Sequence, residues 1–180
     1  MKAIQLTDPD NPRSLELVDV ADPSPGDGEV LVKVAAASVN RGDLMQAKGM
    51  YPPPKGESEI IGLECAGVRT DTGEEVGCLL AGGGYAEYAV VPAAQLLPVP
   101  AGVPLIDAAA LPEVASTVWS TIVMDAGLKA GDLLLVHGGG SQRAHGHRLV
   151  ALQKAPLLLG EVTVALAQAQ VHAAEEEHQQ

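Results

Sequence analysis

The chain has 180 residues, is 47% hydrophobic and carries 11 basic against 23 acidic side chains, a net charge of -12. That length is enough for one domain, or a domain and a half, with a sizeable buried core. The charge balance argues against nucleic acid or anionic membrane as a partner, since both need clustered Lys and Arg, and favours an acidic, solvated surface.

Trp119 and three tyrosines are the whole aromatic content, and phenylalanine is absent, so the core is expected to be aliphatic and rich in alanine. Cys65 and Cys78 are expected to be free thiols rather than a bridge, because no secretory signal precedes them. The opening MKAIQLTDPD lacks the apolar region of a signal peptide, and no run approaches the ~20 apolar residues of a membrane span. The expected location is the cytoplasm.

In chain order, Lys2 to Leu6 alternates and reads as a strand, and Ser14 to Val20 as a second. Pro23, Pro25, Gly26 and Gly28 form a turn. Glu29 to Ala37, EVLVKVAAA, is the clearest strand, with Val30, Val32 and Val34 alternating. Asn40 to Gly49 is a short helix, with Asp43 and Gln46 on one side and Leu44 and Met45 on the other. Tyr51-Pro52-Pro53-Pro54 ends it, because successive prolines cannot continue a helix. Short apolar runs between glycine turns follow and read as strands: Ile60-Ile61, Cys65 to Val68, Gly77 to Leu80 and Tyr88 to Val91. Leu96 to Pro100 is a last strand and turn. Leu105 to Ala110 is a helical turn, broken at Leu111-Pro112-Glu113. Val114 to Leu128 reads as a longer helix, Gly131-Asp132 as a turn, and Leu133 to Val136 as a buried parallel strand, apolar on both faces.

Several stretches carry a resemblance: SVNRGDLMQAKGMYPPP, GLECAG, AGGGYAEYAVVP and AGLKAGDLLLVHGGGS. Together they resemble the medium-chain dehydrogenase/reductase superfamily, in its zinc-independent quinone oxidoreductase branch. The resemblance runs from Met1 to about Ser141. It implies a mainly β fold with helices (α+β), a GroES-like half-open β-barrel followed by a truncated or deleted dinucleotide-binding α/β unit. The implied divisions are a catalytic domain at residues 1–118, the start of a dinucleotide-binding domain at 119–141, and a helical tail at 142–180.

The zinc enzymes of that superfamily hold a metal with Cys, His and a further Cys or acid. By resemblance the Cys place falls at or near Asn40 and the His place at Leu63, which cannot bind a cation. A structural zinc lobe needs four close cysteines, and the chain has two. His145-Gly146-His147 could chelate a metal adventitiously, but reads more simply as two solvated histidines. No zinc is expected.

The resemblance then implies hydride transfer from NADPH to a quinone or an activated alkene such as an enone, with the protein positioning the cofactor. Negative charge grows on the substrate oxygen, so a nearby donor would stabilise it. Tyr51 is the candidate donor, Asn40 a polar group suited to the nicotinamide or a substrate oxygen, and Thr117 the residue at the nicotinamide ribose. Each has a plainer reading: Tyr51 packs on its prolines, Asn40 caps a strand-to-helix turn, and Thr117 is an ordinary helix residue. Asp43 is expected to cap, or to pair with Arg41, rather than to act as a base.

Cofactor phosphates would fall to Gly139, Gly140 and Ser141. A dinucleotide fold needs spaced glycines between a strand and a helix N-terminus. GxGxxG is not completed, because Arg143 stands where the third glycine is due, and GGGS also reads as a linker. The stretch after Ser141 is too short for a doubly wound sheet. It reads either as a helical remnant or as the family's return to its catalytic domain. The chain alone is therefore expected to bind NADPH poorly or not at all. The competing readings are a catalytically silent GroES-like scaffold, which could form a homodimer, and a small-molecule or protein binding module using the cleft near Tyr51.

Overall fold

A computed structural model describes residues 1–8, 10–129, 131, 132 and 134 of the chain. Of the predicted strand Leu133 to Val136 only Leu134 is among them. Gly139, Gly140, Ser141 and the tail from residue 142 lie outside the described residues. Two compact units divide the chain, Met1–Val114 and Ala115–Gln180.

The first unit is built from β1 (Lys2–Leu6), β2 (Leu15–Asp19), β3 (Glu29–Ala37), α1 (Arg41–Ala47), β4 (Glu64–Arg69), β5 (Glu75–Leu79), β6 (Tyr88–Pro92), β7 (Leu96–Pro98) and α2 (Leu105–Ala108). β1 and β2 form an antiparallel pair, and the other strands a five-stranded antiparallel sheet in the order β6-β3-β4-β5-β7. A bridge from Ala3 to Ala86 and the bond from Ile4 N–H to Tyr85 C=O, 2.8 Å, stitch the small sheet to the segment before β6. The result is the half-open, mainly β barrel that the family resemblance implies.

β3 carries the core. Its alternation sends Val30, Val32 and Val34 to one face, where they pack with Cys65, Val76, Cys78, Ala89 and Val91. A bulge between Val34 and Ala36 then changes the register: Val34 lies opposite Gly67, but Ala36 lies opposite Ala66. The extra residue turns the end of β3 over. Ala36 accordingly belongs to a second cluster on the other face, with Ala66, Ala108 and Ala109. Without large aromatics, the layers meet through small side chains.

Some expectations need correction. Ile60-Ile61 is not a strand: the Ile60 carbonyl accepts Gly83 N–H at 2.6 Å and the Ile61 carbonyl accepts Tyr85 N–H at 3.0 Å, which holds these residues in a loop. Pro112 does separate two helices, but it also begins the second, α3 (Pro112–Val118). Proline is favoured at a first helical position, where its missing N–H costs nothing. The longer helix expected from Val114 to Leu128 is not regular either. From Trp119 to Asp125 the backbone widens into a π-helix, with Ala126 N–H bonded to Thr121 C=O at 3.1 Å. The Ser120 and Thr121 hydroxyls both donate to the Thr117 carbonyl, at 3.2 and 2.7 Å, and so occupy an acceptor of the helical ladder where the winding changes.

At Gly67, opposite Val34, β4 lies close against β3. A Cβ there would sit 2.2 Å from the Lys33 carbonyl oxygen and 2.8 Å from Val32 Cγ1. Neither backbone nor fully buried valine can yield cheaply. Gly67→Ala is expected to lower stability by about 2 kcal/mol, read as a lower urea midpoint at unchanged slope.

Candidate functional site

α1 is inverted relative to an ordinary surface helix. Its polar residues Asp43 and Gln46 are buried, and Leu44 on the other side is exposed. The reason lies in the donors around it. Gln46 Nε2 donates to the Ala81 carbonyl at 2.9 Å, and its Oε1 accepts Gly62 N–H at 3.2 Å. Asp43, 2% exposed, accepts three hydrogen bonds: Leu63 N–H at 2.9 Å, Asn40 N–H at 2.6 Å and the Tyr85 hydroxyl at 2.9 Å. Asp43 is therefore a cap, as expected. Among the described residues it makes no ion pair with Arg41.

Glu64, at the start of β4 and 1% exposed, is the second buried acid. Its Oε1 accepts the Ser38 hydroxyl and, at 2.8 Å, the Asn40 side-chain amide; its Oε2 accepts Glu113 N–H at 2.8 Å. One carboxylate thus ties the end of β3, the start of α1 and the first turn of α3. Asn40 closes the strand-to-helix turn, but its amide nitrogen goes to Glu64 and Ser38. The backbone N–H of this cap residue, in extended conformation, is taken by Asp43.

Of the expected site residues, Asn40 is half-buried and fixed. Tyr51 is 52% exposed and follows exposed Met50. Thr117 is exposed and belongs to the second unit. Val39, Leu44, Met50 and Tyr51 give the two ends and outer side of α1 an exposed apolar surface. A separate groove of about 510 Å³, lined by Met1, Val20, Glu29, Ser58 and Tyr88 among others, includes neither Asn40 nor Tyr51. Glu64, Tyr85 and Ser38 were not singled out from the sequence, and Gln46 was placed only on the same side of the helix as Asp43. A Glu between apolar residues in a strand, as in Gly62-Leu63-Glu64-Cys65-Ala66, is the signal that marks a buried carboxylate.

The network holds rather than reacts. Tyr85 donates from one hydroxyl toward Asp43 and the Ser38 carbonyl, the latter at 3.1 Å. Burial pushes its phenol above the ordinary tyrosine range, and the Asp43 charge adds to the shift. At neutral pH it is a donor.

Two outcomes follow. In the unfolded chain the Tyr85 proton leaves near pH ~10, earlier than in the fold. Its raised value in the fold gives a stability that is full below that pH and is lost as pH rises further. Denaturant midpoints are therefore expected to drop on the alkaline side, and Tyr85→Phe to flatten that drop. Asp43→Asn puts an amide donor among three donors, and should cost about 2 to 4 kcal/mol in the same measurement.

The comparisons with known proteins agree with this architecture. Residues 26–101 match the alcohol dehydrogenase GroES-like domain. The quinone oxidoreductase of Thermus thermophilus, solved also with NADPH, is 34% identical at a TM-score of 0.62, over 73% of this chain and 42% of that one. A mycobacterial protein solved with NADPH is 32% identical at 0.65, over 78% of this chain and 46% of that one. A phenolphthiocerol synthesis polyketide synthase of Mycobacterium bovis is 40% identical over 119 residues, 62% of this chain and 6% of that polypeptide. The chain thus spans less than half of these solved structures and under a tenth of that synthase. Residues 26–101 of the chain thus belong to the alcohol dehydrogenase GroES-like domain family, with quinone oxidoreductases among the chain's structural neighbours.

Proposed function

We propose that the chain is the substrate-side part of an NADPH-dependent, zinc-free oxidoreductase acting on a quinone or an activated alkene. NADPH, when bound, supplies the hydride; the chain's residues bind, orient and donate. The observation that carries the reading is the fixed amide of Asn40, held on Glu64 at 2.8 Å. A neutral polar group locked by a buried carboxylate suits an uncharged nicotinamide or substrate oxygen, since little freedom is lost on contact. Tyr51, exposed beside the prolines, would offer its hydroxyl to the substrate oxygen as negative charge grows there, and water would deliver the proton. Thr117 is assigned to the ribose, and Gly139, Gly140 and Ser141 to the phosphates.

Zinc has no place in this reading. Leu63, where the zinc enzymes place a histidine, is buried and apolar. Among the described residues there is no group of three or more His, Cys, Asp or Glu that could hold a metal ion. No helix among them is long and apolar enough to cross a membrane. We assign the protein to the cytoplasm and to small-molecule substrates, either as a homodimer or as part of a longer polypeptide; the likeness to a polyketide synthase supports the latter.

The second reading is a catalytically silent GroES-like scaffold. It is favoured by the network itself, whose carboxylates are fully committed to structural donors, and by Arg143 in the place of the third loop glycine. Calorimetric titration of NADPH into the full chain, with circular dichroism to establish folding, separates the two. The expected outcome is weak, saturable binding, on the order of tens to hundreds of micromolar, weakened about tenfold by Asn40→Ala. A folded chain that gives no heat of binding leaves the scaffold.

A further inference from the structure

The two cysteines face each other across a strand pair. Cys65 on β4 lies directly opposite Cys78 on β5, and both are fully buried among Val30, Val32, Val76, Ala89 and Val91. The bonds flanking them fix the kind of pair. Leu80 N–H donates to Leu63 C=O at 2.8 Å, and Arg69 N–H to Glu74 C=O at 2.9 Å. Since hydrogen-bonded and non-hydrogen-bonded pairs alternate along an antiparallel ladder, Cys65 and Cys78 occupy a hydrogen-bonded pair, with Cα atoms about 5.5 Å apart. That lies inside the roughly 4.4 to 6.8 Å that a disulfide spans. Opposed residues project to the same face, so the two side chains stand side by side in the core.

We propose that Cys65 and Cys78 are a redox pair, which closes into a cross-strand disulfide within one chain when a small disulfide oxidant such as oxidised glutathione is present. Cys78, as the thiolate, attacks the glutathione disulfide. One glutathione thiol leaves, and Cys78 carries a mixed disulfide. Cys65 then gives up its proton and attacks the Cys78 sulfur, and the second glutathione thiol leaves. Two protein thiols are oxidised and one glutathione disulfide is reduced to two thiols. The mutual influence of the two opposed thiols favours this order. The neighbouring Cys78, together with burial, keeps Cys65 protonated, whereas the Cys65 thiol beside it makes Cys78 the easier of the two to ionise.

Access comes through the sheet edge. β5 is covered by β7, an edge strand only three residues long, whose Leu96 packs against the same core. Edge elements of this size open locally at far lower cost than the whole domain. The closed bond would tie β4 to β5 one residue after Glu64, on the opposite face of the strand.

The test uses the full chain, folded, incubated with oxidised glutathione and then analysed by intact mass and non-reducing peptide mapping. The expected result is a chain lighter by two hydrogens, monomeric, with Cys65 and Cys78 peptides joined, restored by dithiothreitol and absent in Cys78→Ser. Its thermal midpoint should move upward, because the link restricts the unfolded chain. A stable glutathione adduct, a disulfide between chains, or thiols that stay unreacted until the chain is denatured would each overturn the proposal.

Discussion

Asp43 and Glu64 are the constraint on which the rest of the first unit depends. Each is a carboxylate sunk to 1 or 2% exposure, and among the described residues neither has a cation against it. Burying a charge without compensation is among the most costly acts in folding. The fold compensates with donors alone, three hydrogen bonds to each acid. Every one of the six donors comes from a different place in the chain or a different atom, so the acids act as assembly points. Ser38 and Asn40 bring the end of β3, Leu63 the approach to β4, Tyr85 the approach to β6, and Glu113 the start of α3.

This is why acids, rather than amides, occupy these places. An Asn or Gln presents one acceptor and one donor edge, and would set N–H against N–H. A carboxylate only accepts. It also explains the inverted helix. α1 is seven residues long, too short to be stable alone. It is fixed by Asp43 and Gln46 reaching into the loops at Leu63, Gly62 and Ala81, so its apolar side need not be buried. Gly62 completes the arrangement. Its φ of 113° suits glycine alone, and a Cβ there would stand 2.7 Å from the Tyr85 ring.

What could be read from the sequence was what local pattern encodes. β3 is found at its true bounds, because alternating valines and flanking turn residues leave no other reading. The paired strands around the glycines, the short α1 and its end at the prolines follow from the same kind of signal. The two-residue run Ile60-Ile61 misleads, because two apolar residues are compatible with any half-buried loop. The π-helix after Val118 was not legible for another reason: it depends on hydroxyls competing for one carbonyl, a matter of geometry rather than composition. Of the site, Asn40 and Asp43 were visible through their place at a helix start. Glu64 and Tyr85 were not, since their partners lie 24 to 49 and 42 to 47 residues away in sequence. Long-range pairing of this kind leaves no periodic trace.

The bulge in β3 joins these facts into one design. Had the strand kept its register, Ala36 would share a face with Val34 and meet the barrel core. Because the register shifts, the last turn of β3 faces the layer that holds Ala66, Ala108 and Ala109, which is also the face of β4 that carries Glu64. Only then can Ser38 and Asn40, just beyond the strand, reach that carboxylate. The opposite face of β4 is left to Cys65, in the apolar core beside Cys78. The alternation of β4 separates Glu64 from Cys65, and the residue inserted in β3 brings Ser38 and Asn40 to the Glu64 side. The polar network fixes Asn40 from one side of the strand. The thiol pair sits on the other, where a change in its state would be felt at Glu64 through the backbone of one residue.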